Sequence, residues 1–253
     1  ANNPVFDSDR MHAIITKCLR RIERLQNGDG GWGWWETSDS SEWFTVTVLD
    51  ALLEAKEAGV DVDENMIQRG MNWLQNDLIQ DVNRQTPEKG EKRKWYVSEY
   101  IAFEAYVLSR RGVRVKHDEA GDLVDTLFTE RDELNVYGKA LLAITLTNLN
   151  DMDRADTVLR NIMQYRQDNE ETGVTWFRTP RDHWWYWWNN DIESNAWVLR
   201  AIVAVEPKHE AGPGLVKWLL NNRRNGYYWR SVRDTAQVRS EEHTSELQSL
   251  LII

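Results

Sequence analysis

Few residues of this 253-residue sequence carry reactive side chains in a pattern that supports catalysis. Cys18 is the single cysteine, and it lies on the apolar stripe of a predicted helix, where a free cysteine is usually a small core residue. The five histidines are scattered, so they give little support to a metal site. We interpret His183 as a hydrogen-bonded structural group, because no nucleophile stands near it in the sequence. The sequence therefore predicts no catalytic, cofactor-binding or metal-binding residue.

Two acidic segments superficially resemble the aspartate motif with which terpene cyclases protonate their substrates. They are Asp61–Glu64 and Asp151–Asp153, and each comes directly before a predicted amphipathic helix. We interpret Asp63 as the N-cap of its helix and Glu64 as an acid of the first turn, where both favour the helix. The second segment has the same position and receives the same interpretation.

Tryptophan is the most unusual part of the composition, with 14 residues. Several lie in RLQNGDGGWGWWETSDSSEW (Arg24–Trp43), and others in RDHWWYWWNND (Arg181–Asp191). These aromatic residues could form a surface for a partner domain, or a wall that shields a reactive bond from water. We favour packing, because large aromatic side chains mostly serve the core. The candidates for either role are Trp32, Trp34, Trp35, Trp184, Trp185, Tyr186, Trp187 and Trp188.

Helices of two kinds must position these residues. Some have a single apolar stripe, and others are apolar on nearly all sides. Striped helices are predicted at Asp9–Leu25, Glu64–Leu78, Leu123–Phe128 and Asp153–Tyr165, and all-apolar helices at Trp43–Ala58, Val97–Leu108, Leu134–Leu149 and Asp191–Val205. A shorter helix at Pro213–Leu220 accompanies the last of these. Strand signals are nearly absent. The alternation predicts an all-α fold in two layers, with the all-apolar helices inside.

Glycine–aromatic segments recur before the all-apolar helices. Gln26–Trp32, Gly173–Trp176 and Gly226–Trp229 each lead through a polar loop into such a helix. Glycine permits a positive φ, and a tryptophan ring buries about 150–250 Å² while its indole N–H can satisfy a carbonyl at a helix end. We expect these corners to join consecutive helical hairpins.

Three blocks of the sequence carry a family resemblance: Leu25–Gly59, Asn189–Pro207 and Leu215–Val238. In order and spacing they resemble the thioester-containing domain of the alpha-2-macroglobulin family, in its bacterial form. The resemblance implies an α/α toroid, the ring of helical hairpins also found in terpenoid cyclases and protein prenyltransferases. It covers nearly all of residues 9–238, so we expect residues 1–238 to form a partial, truncated toroid.

The resemblance also implies a function for the parent protein, which would be a broad-spectrum endopeptidase inhibitor that traps proteases in the periplasm or at the cell surface. Its partners would be target proteases and the other domains of the parent chain. The family's thioester joins the Cys and Gln of a C-x-E-Q motif, which this sequence lacks. Some complement-type relatives carry a catalytic histidine in the loop that corresponds to Trp34–Glu42, and here that loop has none. We therefore expect no enzymatic activity, no cofactor and, if the parent has a thioester, direct attack on it by amines.

Two alternatives remain open from the sequence. A terpene cyclase or prenyltransferase-like ring enzyme would have aspartates facing a central apolar cavity. A helical-repeat interaction scaffold would form an open superhelix, although the irregular spacing of the all-apolar helices does not fit a clean repeat of roughly 35–47 residues.

Charge and the two ends of the chain bound the remaining possibilities. With 31 Lys and Arg against 41 Asp and Glu, the net charge of −10 argues against nucleic-acid binding. No apolar run is long enough to span a bilayer, and the N-terminus shows no signal-peptide pattern. Arg239–Ser249 (RSEEHTSELQS) resembles the in-frame translation of a sequencing-adapter oligonucleotide, so we expect residues 239–253 to be a non-native tail. If the ring is incomplete, we expect the isolated chain to be marginally stable or to aggregate.

Overall fold

A computed structural model describes residues 8–179, 191–223, 229 and 235 of the chain. They fall into two compact units, Ala1–Gln85 and Thr86–Ile253, and each unit is treated by itself. No helix among the described residues is both long enough and apolar enough to cross a membrane.

The described part of the first unit, residues 8–85, contains three helices: α1 (Ser8–Arg24), α2 (Glu42–Glu57) and α3 (Glu64–Arg84). α2 and α3 pack against each other. The buried side of α2 includes Val46, Leu49 and Leu53, and α3 contributes the apolar row Met66, Ile67, Met71, Leu74, Leu78 and Val82. This pair forms the core of the unit.

The second unit begins with α4 (Glu99–Ser109), the short hairpin of β1 (Lys116–His117) and β2 (Gly121–Asp122), and α5 (Leu123–Thr129). A 3-10 turn at Arg131–Glu133 leads into α6 (Val136–Asn148) and α7 (Met152–Met163). A second antiparallel hairpin follows, of β3 (Arg166–Asn169) and β4 (Val174–Phe177), with Arg166 paired to Phe177. The last described helices are α8 (Asp191–Val205) and α9 (Ala211–Asn221).

Three of these helices form an inner layer. α6 is buried from Val136 to Leu146 and packs against α4, α7 and α8. α4 and α8 are also buried around most of their circumference, whereas α7 and α9 bury one face each. Trp197 of α8 lies at the centre, where its ring meets Tyr106 edge-on at 5.0 Å and Tyr137 at 6.1 Å between ring centroids. The predicted alternation of inner and outer helices is thus confirmed within the second unit.

The predicted helices agree with the structure in number and place over the described residues. α3 continues six residues beyond the predicted end at Leu78, and α8 coincides with its prediction. The capping interpretation of the acidic segments is confirmed: Asp63 accepts a hydrogen bond from the Asn65 N–H at 2.9 Å, and Asp151 accepts one from the Arg154 N–H at 3.3 Å. The two short hairpins are additions that the weak strand signals did not predict.

The prediction that Cys18 is a core residue is wrong. The Cys18 side chain is exposed, and so are its stripe neighbours Met11 and Ile14, at 47% and 55% of their full surface. The periodicity correctly predicted the helix. Among the described elements of the first unit, however, extensive helix packing is seen between α2 and α3 and not along α1, so the stripe of α1 is at most partly buried.

Candidate functional site

The corner between α1 and α2, residues 25–41, holds three of the eight candidate aromatic residues. The other five, Trp184, Trp185, Tyr186, Trp187 and Trp188, lie outside the described residues, as does His183. The corner begins where α1 ends at Arg24 and closes where α2 begins at Glu42.

Trp32 is the buried anchor of the corner, with 3% of its surface exposed. Its indole N–H donates to the carbonyl of Ile22 in the last turn of α1, at 2.9 Å. Its backbone N–H donates to the Thr45 hydroxyl of α2 at 2.9 Å, and that hydroxyl donates back to the Trp32 carbonyl at 3.4 Å. One residue therefore satisfies polar groups at the end of one helix and at the start of the next.

The glycine-rich turn before Trp32 is held by side-chain amides. Gln26 donates to the carbonyls of Gly30 and Met66 at 2.8 and 2.9 Å, which ties the turn to α3. Gly30 has a φ of +101°, a region that favours glycine. Asn27 donates to the Ser38 carbonyl and to the Ser40 hydroxyl, both at 3.0 Å. These hydrogen bonds hold the two sides of the loop together.

Asp29 is a second organising group of the turn. Its carboxylate accepts hydrogen bonds from the Ser40 hydroxyl at 2.7 Å, the Gly31 N–H at 3.1 Å and the Trp73 indole N–H at 3.0 Å. Partial burial opposes ionisation, but these three donors outweigh it and lower the pKa of Asp29. The carboxylate stays charged and serves as a structural acceptor.

Parts of this arrangement recur at two other corners. At the second, Phe177 takes the place of Trp32: its N–H donates to the Asn195 side-chain oxygen at 2.7 Å, and the Asn195 amide donates to its carbonyl at 3.0 Å. At the third, the Trp229 indole N–H donates to the Leu219 carbonyl at 2.9 Å, ten residues back as in the Trp32–Ile22 pair. The predicted role of tryptophan as a cap for the preceding helix is confirmed for Trp32 and Trp229. At the middle corner, Phe177 and not Trp176 is the fully buried residue.

Trp34 and Trp35 differ from Trp32, because 59% and 71% of their surfaces are exposed. The Trp34 ring meets Phe44 edge-on at 4.9 Å and Trp35 at 6.2 Å between centroids. The three rings form an aromatic corner on the surface of the first unit. The possibility that Trp34 and Trp35 serve a partner surface stays a prediction.

A group of three carboxylates connects the start of α2 with α3. Carboxylate oxygens of Glu42, Asp77 and Asp81 lie within 4.8 Å of one another, and Arg84 pairs with Asp81. Burial, a hydrogen bond to Asp77 and repulsion from both aspartates raise the pKa of Glu42 to about 7. Burial also raises the pKa of Asp77. Such a carboxylate set could hold a cation, and the Arg84 guanidinium already provides one positive charge there.

Sequence reasoning missed the polar partners of the buried aromatic residues, Thr45 and Asn195. Both are fully buried, and both lie near the start of an otherwise apolar helix. A polar residue in such a helix is the signal that could have found them, because a buried polar group is expected to have a hydrogen-bond partner. The Glu42–Asp77 pair gave no such signal, since 35 positions separate its members.

Comparison with known proteins places these features in a family. A family model described as "A-macroglobulin TED domain" matches residues 3–238. The alpha-2-macroglobulin of Thermotoga maritima is 34% identical over 69 residues, which is 27% of this chain and 4% of the relative. Thioester-containing protein 1 allele R1 of Anopheles gambiae is 22% identical over 236 residues, covering 90% of this chain and 17% of the relative.

Solved structures show the same fold. The Salmonella alpha-2-macroglobulin reacted with methylamine matches with a TM-score of 0.67 and 18% identity, over 96% of this chain and 15% of that one. The native Escherichia coli protein from domain MG7 to the C-terminus matches with a TM-score of 0.62 and 18% identity, over 93% of this chain and 35% of that one. The all-α, α/α-toroid fold class is thereby confirmed. The chain spans well under half the length of these relatives.

Proposed function

Since the chain belongs to the family of A-macroglobulin TED domains, we propose that it is the α/α-toroid domain of an alpha-2-macroglobulin-like protein that traps proteases. The match over residues 3–238 carries this proposal, and the likeness to bacterial alpha-2-macroglobulin structures supports it. In the parent, a protease would cut a bait segment outside this domain, and the domains would then rearrange around the protease. The parent would act in the periplasm or outside the cell, where foreign proteases arrive.

The domain would act in this process as a rigid structural element of the parent and not as an enzyme. Three locked corners join its helices, and the acidic segments that superficially resemble a cyclase motif cap helices. Its partners would be the other domains of the parent and, through them, the target protease. Two related structures are described as activated by trypsin and by porcine elastase, which is the class of partner this proposal implies.

The test requires the full-length parent protein. We expect trypsin mixed with the parent to keep most of its activity on a small chromogenic peptide and to lose most of its activity on a large protein such as casein, because a trapped protease admits only small substrates. The 253-residue chain alone, as control, should change neither activity. Equal loss of activity on both substrates, or no loss on either, would contradict trapping.

A second test addresses the thioester chemistry of the parent. The loop Trp34–Glu42 contains no histidine that could redirect a thioester toward hydroxyls. If the parent carries a C-x-E-Q motif, we expect it to incorporate labelled methylamine in preference to labelled glycerol. A strong preference for glycerol would contradict direct attack by amines.

A further inference from the structure

The loop between Trp32 and α2 is a closed, preformed structure. The two ends of its tip touch: a Cβ on Gly33 would lie 2.4 Å from the Asp39 carbonyl oxygen, so only glycine fits there. Within the tip, the Trp35 N–H donates to the Ser38 hydroxyl at 3.1 Å, and the Ser38 N–H donates to the Trp35 carbonyl at 3.0 Å. The tip is therefore shaped before any partner arrives, which lowers the entropic cost of binding.

This tip presents two large aromatic side chains to solvent. Trp34 and Trp35 meet at an angle of 74° between their ring planes, and Trp34 meets Phe44 at 82°. The Trp34 ring is therefore nearly perpendicular to the rings of both Trp35 and Phe44. Exposed tryptophans grouped in this way are typical of interaction surfaces, where they bury a large area with few rotatable bonds.

The charges near these aromatic rings determine which kind of partner the surface can bind. The loop Trp34–Glu42 has no lysine or arginine, and it has three acids: Glu36, Asp39 and Glu42. Glu36 and Asp39 belong to the tip itself, and both are exposed. The faces of tryptophan rings attract cations, and nearby carboxylates add to this attraction. The same charges would repel a nucleic acid or an anionic lipid surface.

We propose that Trp34, Trp35, Glu36, Asp39 and Phe44 form a binding surface for a lysine- or arginine-rich segment of a protein partner. The ammonium or guanidinium group would lie against the indole faces, and the two carboxylates would supply the opposite charge. This inference goes beyond the proposed function and does not depend on it, because the binding is a property of the chain itself.

The experiment is calorimetric titration of the 253-residue chain with pentalysine and with pentaarginine peptides at low salt, with pentaglutamate as the control peptide. We expect both basic peptides to bind and pentaglutamate not to bind. Replacing both tryptophans (Trp34→Ala with Trp35→Ala) should weaken the binding of the basic peptides about five- to thirty-fold. Replacing both acids (Glu36→Gln with Asp39→Asn) should weaken it and reduce its dependence on salt.

Matched control variants distinguish binding at this surface from binding to the negative charge of the chain as a whole. Glu170→Gln with Glu171→Gln removes two exposed acids elsewhere, and Tyr96→Ala removes an aromatic residue that is 63% exposed. Neither should change the affinity by more than about two-fold. A urea melt of each variant establishes that it is folded. The proposal is overturned if the basic peptides do not bind, or if the double tryptophan variant binds them as tightly as the unmutated 253-residue chain does.

Discussion

Glu42 and Asp77 place carboxylate oxygens within 4.8 Å of each other, which joins the first residue of α2 to the C-terminal half of α3. Partial burial disfavours the charged form of Glu42, and the hydrogen bond to Asp77 and the repulsion between the two carboxylates add to this effect. The pKa of Glu42 is raised to about 7 from an ordinary value of 4.5, so the folded state binds a proton that the unfolded state releases. Such a pair makes the stability of the unit depend on pH.

The sign of this dependence follows from linkage. The stabilising contribution is fully present below pH 4.5 and is lost as the pH rises to about 7. After discounting for solvent screening at a half-exposed site, we expect on the order of 1 kcal/mol less stability at pH 8 than at pH 5 from this pair. Glu42→Gln should flatten that slope in urea unfolding across this range, whereas Glu23→Gln on exposed α1 should leave it unchanged. An identical slope in Glu42→Gln would show that another group is responsible.

The hydrogen bond between the Trp32 N–H and the Thr45 hydroxyl predicts a second effect. In Thr45→Val a methyl group takes the place of the hydroxyl, so the buried N–H of Trp32 loses its hydrogen-bond acceptor. We expect a loss of about 1–3 kcal/mol in the free energy of unfolding, measured by urea denaturation. Thr45→Ser keeps the hydroxyl and should recover more than half of that loss. If Thr45→Val were as stable as the unmutated chain, this hydrogen bond would not hold the corner together.

Close packing of α3 under Trp32 predicts a third effect. A Cβ on Gly70 would lie 2.7 Å from the Trp32 ring and 2.9 Å from a Leu49 methyl group, and both neighbours are buried. Gly70→Ala should therefore destabilise the first unit by about 1–3 kcal/mol through overpacking. Gly28→Ala is the matched control, because nothing lies within 4 Å of its Cβ and its φ is not positive. We expect thermal melts to separate the two variants, and a neutral Gly70→Ala would contradict the observed packing.

The sequence predicted the helices, and within the second unit their layers, because both follow from local periodicity. α6 is apolar all round and is the most completely buried helix of the second unit, as its composition requires. Periodicity says nothing about which neighbour is present, which is why Cys18 and Met11 on α1 are exposed despite a well-formed stripe. The glycine–tryptophan spacing predicted the indole caps. The partners of the main chain, Thr45 and Asn195, depend on tertiary contacts 13 and 18 residues away and could not be assigned from local pattern.

The segment that joins the two compact units predicts the first site of proteolysis. Residues 86–94 form neither helix nor strand, and Lys89, Lys92 and Lys94 are exposed. Cleavage requires a locally extended backbone, which this segment offers without unfolding a helix. We expect brief trypsin treatment to cut there first, as mass spectrometry of the fragments would show.

A variant tests this assignment. With Lys89, Lys92, Arg93 and Lys94 all replaced by Gln, trypsin cleavage within residues 86–94 should be lost, because these are the Lys and Arg residues of the segment. Cleavage after Glu88 or Glu91 by a glutamate-specific protease should be unchanged in rate. First cuts inside α3 or α4 of the parent sequence would contradict the prediction.

The exposed stripe of α1 predicts how the isolated chain behaves in solution. Met11 and Ile14 are about half exposed on a helix whose apolar row continues through Cys18, and exposed apolar patches of this kind favour association. In sedimentation velocity runs that span about a tenfold range of concentration, we expect the average mass to rise with concentration. A reducing agent prevents disulfide links through Cys18. Met11→Gln with Ile14→Gln should shift the chain toward monomer, whereas Ala13→Gln on the same helix should not. A wild-type chain that stays monomeric throughout would show that this stripe does not drive association.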